Sequence, residues 1–354
     1  MKKYTYLKKK QLLNQNNMKN FLITFSLAIL FSACGKENKK PINTKIMNIQ
    51  YPEVNATNFE QKLSNAVKHY EKEPMYFMRV NKINCLVEIF VNDYRVHKDY
   101  ELSNYATPLE INDAILKSGE QKLTYRLYPV GDLIKEEYGE GDTVTKLTNN
   151  TSISISIIKM DNNGEKKLED EELVIKHTSL NDVKGNFIAS GKPYYEFTFS
   201  FNAYVPYENI GWYNGQDLTK LDPKLLEQKA VEFYKEYGKI YQNKDLNLLA
   251  QLSFGEEKRN AISFYKRASD INKLWKEYLN DINENNIKML PIENYKMTFW
   301  GNGRIVFLQL NSLNITYRGG GALILDSDES TYMPKILLYL PEGKKLEDGL
   351  YMIN

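Results

Sequence analysis

Residues 83–100, INCLVEIFVNDYRVHKDY, decide the fold class of this chain. Ile83, Cys85, Val87, Ile89 and Val91 alternate with other residues, the period of a half-buried β-strand. Asn92-Asp93 comes next, a pair suited to the left-handed conformation of a tight hairpin turn, and a second strand returns. The pattern recurs outward from this hairpin. KLTYRLYPVG alternates through Leu123, Tyr125 and Leu127, and TSISISII sets Ile153, Ile155 and Ile157 on one face. Asn163-Gly164 marks a turn into a returning strand at 172–177. In YYEFTFSFNAYV, Tyr195, Phe197, Phe199 and Phe201 oppose Glu196, Thr198, Ser200 and Asn202. Strands in this number, interrupted only by the short INDAIL segment, predict an antiparallel β-sandwich.

One helix is expected before the sandwich, over Thr57 to Glu73, with Thr57 and Glu60 as a capping box and Pro74 as its end. After the sandwich, PYENIGWYNGQDLTKLDP breaks the alternation with prolines and glycines and reads as a linker. Asp222-Pro223 then caps a helix carrying Leu226, Ala230, Phe233, Tyr237 and Ile240 on one stripe. A short second helix to Gly255 and a third through Ile271, Leu274, Tyr278 and Ile282 come after it. Beyond Pro291, YKMTFWGNGRIVFLQL reads as a hairpin turning at Gly301-Asn302-Gly303, and GGALIL and KILLYLPEG supply further strands. The fold class expected is therefore mixed: an N-terminal antiparallel β-sandwich preceded by one helix, then an α+β domain of helices and an antiparallel meander. Its boundaries are 57–207 for the sandwich, 208–222 for the linker and 223–354 for the α+β domain.

The residues KAVEFYKEYGKIYQNKDLNLLAQL, 229–252, are similar to the first helices of nuclear-transport-factor-2-like domains. The similarity implies a curved sheet around a cone-shaped pocket; the polar residues that family uses in catalysis have no recognisable counterparts here.

The start of the chain concerns its address. FLITFSLAILF, 21–31, is an apolar run of eleven residues. As a helix it covers roughly 16 Å against the ~30 Å of a bilayer core, the length of a signal segment and too short to span. It runs into Phe31-Ser32-Ala33-Cys34, and this resembles the signal of a bacterial lipoprotein. The resemblance implies cleavage after residue 33 and acylation of Cys34, with palmitate among the chains that hold the protein to a membrane. Met18 opens a well-formed signal by itself and is a candidate translation start. Residues 34–56 are rich in lysine and asparagine and read as a flexible tether.

The whole chain carries a net charge of +2, yet residues 1–33 hold six lysines and no acid, leaving 41 basic against 45 acidic residues after them. An acidic mature chain has no electrostatic footprint for nucleic acid. Of the two cysteines, Cys85 sits in an apolar alternating strand and reads as a small buried hydrophobe. His69, His97 and His177 are scattered, each expected at the surface, so no metal site is predicted. Neither a nucleophile elbow nor a P-loop occurs, and no cofactor motif is complete. The feature singled out for binding is Trp212-Tyr213 in the linker, between Gly211 and Gly215. Against it stands the reading that Trp212 wedges between the two halves.

The function expected is a binding protein without catalytic activity, lipid-anchored at the cell envelope on the outer membrane. Its partner would be a protein, in envelope assembly or neutralisation of an effector. One alternative is a glycan-binding accessory lipoprotein using Trp212 and Tyr213. The other is an envelope hydrolase with a carboxylate pair that sequence cannot pick out.

Overall fold

The structure is a computed structural model that describes residues 5–8, 39–163, 168–312, 314 and 317–353. The signal run, Met18, the lipidation position Cys34 and Gly164 of the expected turn lie outside the described residues. Among the described residues the fold is mixed α+β, with four antiparallel sheets.

The first strand, β1 (Thr5–Lys8), belongs to a small C-terminal sheet. Helix α1 (Phe59–Ala66) leads into β2 (Pro74–Ile83), β3 (Leu86–Val91), β4 (Tyr94–Asp99), β5 (Leu109–Glu110) and β6 (Gly119–Tyr128). Helix α2 (Leu133–Tyr138) precedes β7 (Ser152–Asp161), β8 (Glu172–Thr178) and β9 (Tyr195–Ala203). These strands make two four-stranded sheets, β5-β2-β7-β8 and β4-β3-β6-β9. Their facing side chains, among them Val87, Ile89, Leu123, Tyr125, Ile153, Ile155 and Ile157, are wholly buried in one core. The β3–β4 hairpin turns at Asn92 and Asp93, at φ 52° and 60°, the left-handed pair its twist requires. Cys85 is buried there, and burial pushes its thiol up to about 12.

The expected helix over 57–73 is cut short. Asn58 precedes it without a side-chain cap, and Thr57 is held instead by Asn55, whose Oδ1 accepts from the Thr57 and Asn58 N–H groups. At Val67 the backbone is already extended. The chain from there turns around Glu73, whose buried carboxylate takes hydrogen bonds from His69 Nδ1 at 2.8 Å and Asn162 Nδ2 at 3.1 Å. A buried carboxylate must be satisfied, and an extended loop aims these donors at it. Pro74 therefore opens a strand and does not merely close a helix.

The C-terminal half holds α3 (Pro223–Asn243), α4 (Leu246–Ser263) and α5 (Ala268–Asn283). Asp222 Oδ1 accepts from the Leu225 N–H at 2.7 Å, with Pro223 in the first turn. Helix α4 does not stop at Gly255 as its sequence suggests; it runs eight residues further. A glycine costs a helix only about 1 kcal/mol relative to alanine, less than the packing on either side of it provides. Strands β10 (Lys288–Met289), β13 (Leu325–Asp326) and β14 (Ser330–Met333) form the small sheet with β1. Strands β11 (Tyr295–Trp300), β12 (Ile305–Leu310), β15 (Leu338–Tyr339) and β16 (Tyr351–Met352) form the fourth sheet.

Strand β12, IVFLQL, is buried at all six positions. Val306 and Leu308 join a core with the helices, while Ile305 and Phe307 join the core of the sandwich. A strand covered on both faces carries a continuous apolar run, and this one ties the halves together. The region between the helices and this sheet, where the family resemblance implies a pocket, is packed with Leu226, Phe233, Tyr237 and Ile271.

The described part of the expected tether is not loose. Met47 and Val54 are buried in the helical core, Met47 bridges Leu350, and the Asn43 N–H donates to Glu236. Helix α1 packs there too, through Phe59 stacked on Trp275 at 4.4 Å. Residues 39–66 thus belong with the C-terminal half, not with the sandwich or with solvent.

His97, in β4, is not the surface histidine expected. Its Nε2 is buried without a hydrogen-bond partner, and burial pushes its pKa from 6.5 down to about 4, with Asp99 opposing and Lys82 and Arg95 assisting. The folded value lies below the unfolded one, so as pH falls the unfolded chain takes up its proton first. Stability is expected to drop between pH 6.5 and about 4, by on the order of 2 kcal/mol from this group. Denaturant titrations at both ends of that window check this. His97→Phe should be closer in stability to the parent at the neutral end and gain on it at the acid end; an unchanged difference would show that His97 is not the group.

Candidate functional site

The linker stretch 208–222 is stitched into the structure. The Asn209 N–H donates to Leu116 O at 2.8 Å and its Nδ2 to Ser263 Oγ at 3.0 Å. The Gln216 N–H reaches Leu340 O, its side chain reaches the carbonyls of Pro341 and Lys344, and the Leu218 N–H reaches Gly303 O. Gly211, at φ 54°, lies where an added Cβ would stand 2.6 Å from Leu116 Cδ1, so a side chain there would be strained and would push Leu116 aside.

Trp212 is wholly buried. Its ring stacks on Tyr94 at 4.8 Å and 9°, and Trp300 meets Tyr94 edge-on at 6.2 Å. The Arg259 guanidinium lies 5.6 Å from both the Trp212 and Tyr94 rings, and Lys335 Nζ lies 4.4 Å from Tyr94. These residues come from the linker, β4, β11, α4 and the segment before β15. Trp212 is thus packed as a wedge between the halves, with none of its surface open to solvent. Tyr213, the other residue singled out, is 46% exposed, and Ile210 is 65% exposed.

Ile210 and Tyr213 line an open hollow of about 620 Å³ with Glu208, Asn209 and Asn214 of the linker, Lys117 of the sandwich and Glu342 of the β15–β16 connection. Lys117 Nζ and Glu208 Oε1 stand 3.8 Å apart at the rim, both well exposed. Such a pair is worth little in stability and leaves both charges available to a ligand. The hollow thus presents an aliphatic residue, an aromatic ring, two amides and charges of both signs on a backbone hydrogen-bonded to both halves. Ile210 and Asn214 were within sight of the sequence reading, since they flank Trp212-Tyr213. Lys117 and Glu342 were not, because only the meeting of the two halves brings them alongside.

Elsewhere, His177 is half-buried between Phe197 and Phe199, with ring centroids at 4.9 and 4.5 Å, and its Nε2 lies 3.1 Å from Tyr125 Oη. It packs between β8 and β9, with its pKa lowered by burial. Among the described residues no group of three or more histidine, cysteine, aspartate or glutamate side chains is placed to hold a metal ion. Nor, among them, is any helix long and apolar enough to cross a membrane. No protein-family model, curated protein or solved structure matches this chain.

Proposed function

We propose that this chain is a non-catalytic binding protein of the cell envelope, held at the outer membrane by lipid on Cys34, that engages a protein partner at the junctional hollow. The observation that carries the reading is the exposure of Ile210 and Tyr213 on either side of the locked Trp212. A large apolar side chain standing in water on a rigid loop is unfavourable in isolation and useful as an anchor. Protein interfaces draw most of their energy from a few such anchors ringed by polar groups, and Lys117, Glu208, Asn214 and Glu342 form that ring.

Affinity capture from the host's envelope and secreted fractions tests this. The parent is expected to retain one protein in near-equal amount, and Ile210→Ser with Tyr213→Ala to lose it, with affinity lowered roughly a hundredfold or more. Both side chains are exposed, so the fold should be unchanged. Equal capture by parent and variant would remove the hollow from the reading.

The glycan reading retains one specific support: the Tyr213 ring lies among the carboxylates and amides of Glu208, Glu342, Asn209 and Asn214, groups able to stack on and hydrogen-bond a sugar. Saccharide titration by calorimetry separates the two, because sugar binding lost in Tyr213→Ala, with no protein captured, favours the glycan.

A further inference from the structure

The sandwich has four edge strands, β5, β8, β4 and β9. An open edge invites pairing with another chain unless it is shortened, bulged, charged or covered. Strand β5 is two residues long. Strand β8 has a register shift opposite Ile157 and Ile158 that leaves Val174 unpaired, and carries the exposed Lys176. Strand β4 is also bulged, and the C-terminal half covers it, with Arg95 Nη2 donating to Gly319 O at 2.7 Å and Lys98 donating to Arg318 O.

Strand β9, YEFTFSFNA, is neither short nor bulged nor covered along its edge, and its single charge, Glu196, is engaged by Arg126 of its own sheet. It pairs with β6 over nine unbroken positions, from Tyr195 opposite Leu127 to Ala203 opposite Gly119. It contains no proline, glycine or lysine. Among the described residues its main chain from 195 to 203 bonds only to β6, so its outer edge is open. Tyr195, Phe197 and Phe199 are only half-buried there.

We propose that this edge pairs with the same edge of a second copy of the chain, antiparallel about Phe199. The strand is complementary to itself in that register. Tyr195 falls opposite Ala203, Glu196 opposite Asn202, Phe197 opposite Phe201 and Thr198 opposite Ser200. Cross-strand neighbours of this kind decide sheet pairing, and like charges placed opposite each other oppose it. Here no ionised groups of one sign meet: the one charged side chain of the strand, Glu196, is already held by Arg126 Nε at 2.6 Å within its own sheet. A foreign strand would have to be matched to this pattern; the chain's own strand already is. The contact is isologous and closed. It joins two four-stranded sheets into one and covers the half-exposed aromatic row. It is independent of the junctional hollow and stands whether or not that hollow has a partner.

Sedimentation velocity from low micromolar to several hundred micromolar protein is the test. The parent is expected to pass from monomer to dimer. Thr198→Glu/Ser200→Glu sets acid against acid twice across the join, and Thr198→Lys/Ser200→Lys sets base against base. Each double variant alone is expected to weaken dimerisation roughly tenfold or more, with the monomer fold retained by circular dichroism. Mixed in equal amounts they are expected to form a one-to-one heterodimer, which loss of folding could not produce. A parent that stays monomeric throughout, or a dimer that both double variants leave intact, overturns the proposal.

Discussion

Trp212→Ala is expected to lower stability by about 3–5 kcal/mol, the range for emptying the site of a large buried aromatic. The size follows from position. Trp212 touches Tyr94 of the sandwich and lies against the Gly301 turn of the C-terminal sheet, where a Cβ on Gly301 would come within 2.5 Å of its Cδ1. Truncation opens a cavity that neither half can fill alone, because β12 holds both cores at a set spacing. The indole Nε1 is buried without a hydrogen-bond partner, so Trp212→Phe should lose markedly less: the stack remains and an unsatisfied donor disappears. Denaturant unfolding of the three proteins checks both statements. A loss under about 1 kcal/mol for alanine would mean that the surroundings collapse into the space and that Trp212 does not lock the junction.

Glu88→Ala is the second large effect. Glu88 sits on β3 and is buried, accepting from Arg95 Nη1 at 3.1 Å, Tyr100 Oη at 2.8 Å and Tyr128 Oη at 3.0 Å. Arg95 also donates to Gln309 Oε1 at 3.3 Å and lies 4.7 Å over the Trp300 ring, so the pair spans both halves. Removing the carboxylate leaves a buried guanidinium short of its counter-charge, a loss of about 3–5 kcal/mol. Burial by itself would raise the Glu88 pKa; the charge of Arg95 and the three donated hydrogen bonds outweigh it and hold the value below the ordinary carboxylate range. The stabilisation is therefore present above the unfolded pKa and is lost as pH falls through the depressed folded value. Parent and Glu88→Ala should accordingly converge in strongly acidic solution and differ most near neutrality. Equal separation of their unfolding midpoints at every pH would show that the charge of Glu88 contributes nothing. Because His97 acts at higher pH, the two groups are distinguishable along one titration.

The elements that sequence located well are those whose pattern is local. The β3–β4 hairpin needs only alternation and an Asn-Asp pair, and α3 needs only an apolar stripe behind Asp-Pro. The elements it misplaced are those whose boundaries depend on partners far along the chain. Val67 and Tyr70 keep helical spacing, yet the buried Glu73 holds that stretch in another shape with help from Asn162. Residues 39–56 have the composition of a tether, but Met47 and Val54 find a core built from residues some two to three hundred positions later. For the candidate site, Tyr213 and its neighbours were visible as an aromatic-glycine cluster. Lys117 and Glu342 carried no signal, since isolated charged residues look alike until a surface assembles around them.

By itself, then, sequence determined the sandwich, the hairpins and the presence of the helices though not all their ends, because hydrophobic period and turn chemistry act within a few residues. The acidity of the chain beyond residue 33 also follows from composition alone. Tertiary structure decided that Trp212 is a wedge and Tyr213 is not, that β12 serves two cores at once, and that β9 alone among the described sandwich edges is long, unbulged and uncovered. Each of those depends on which surfaces meet in space, and burial is a property of the meeting.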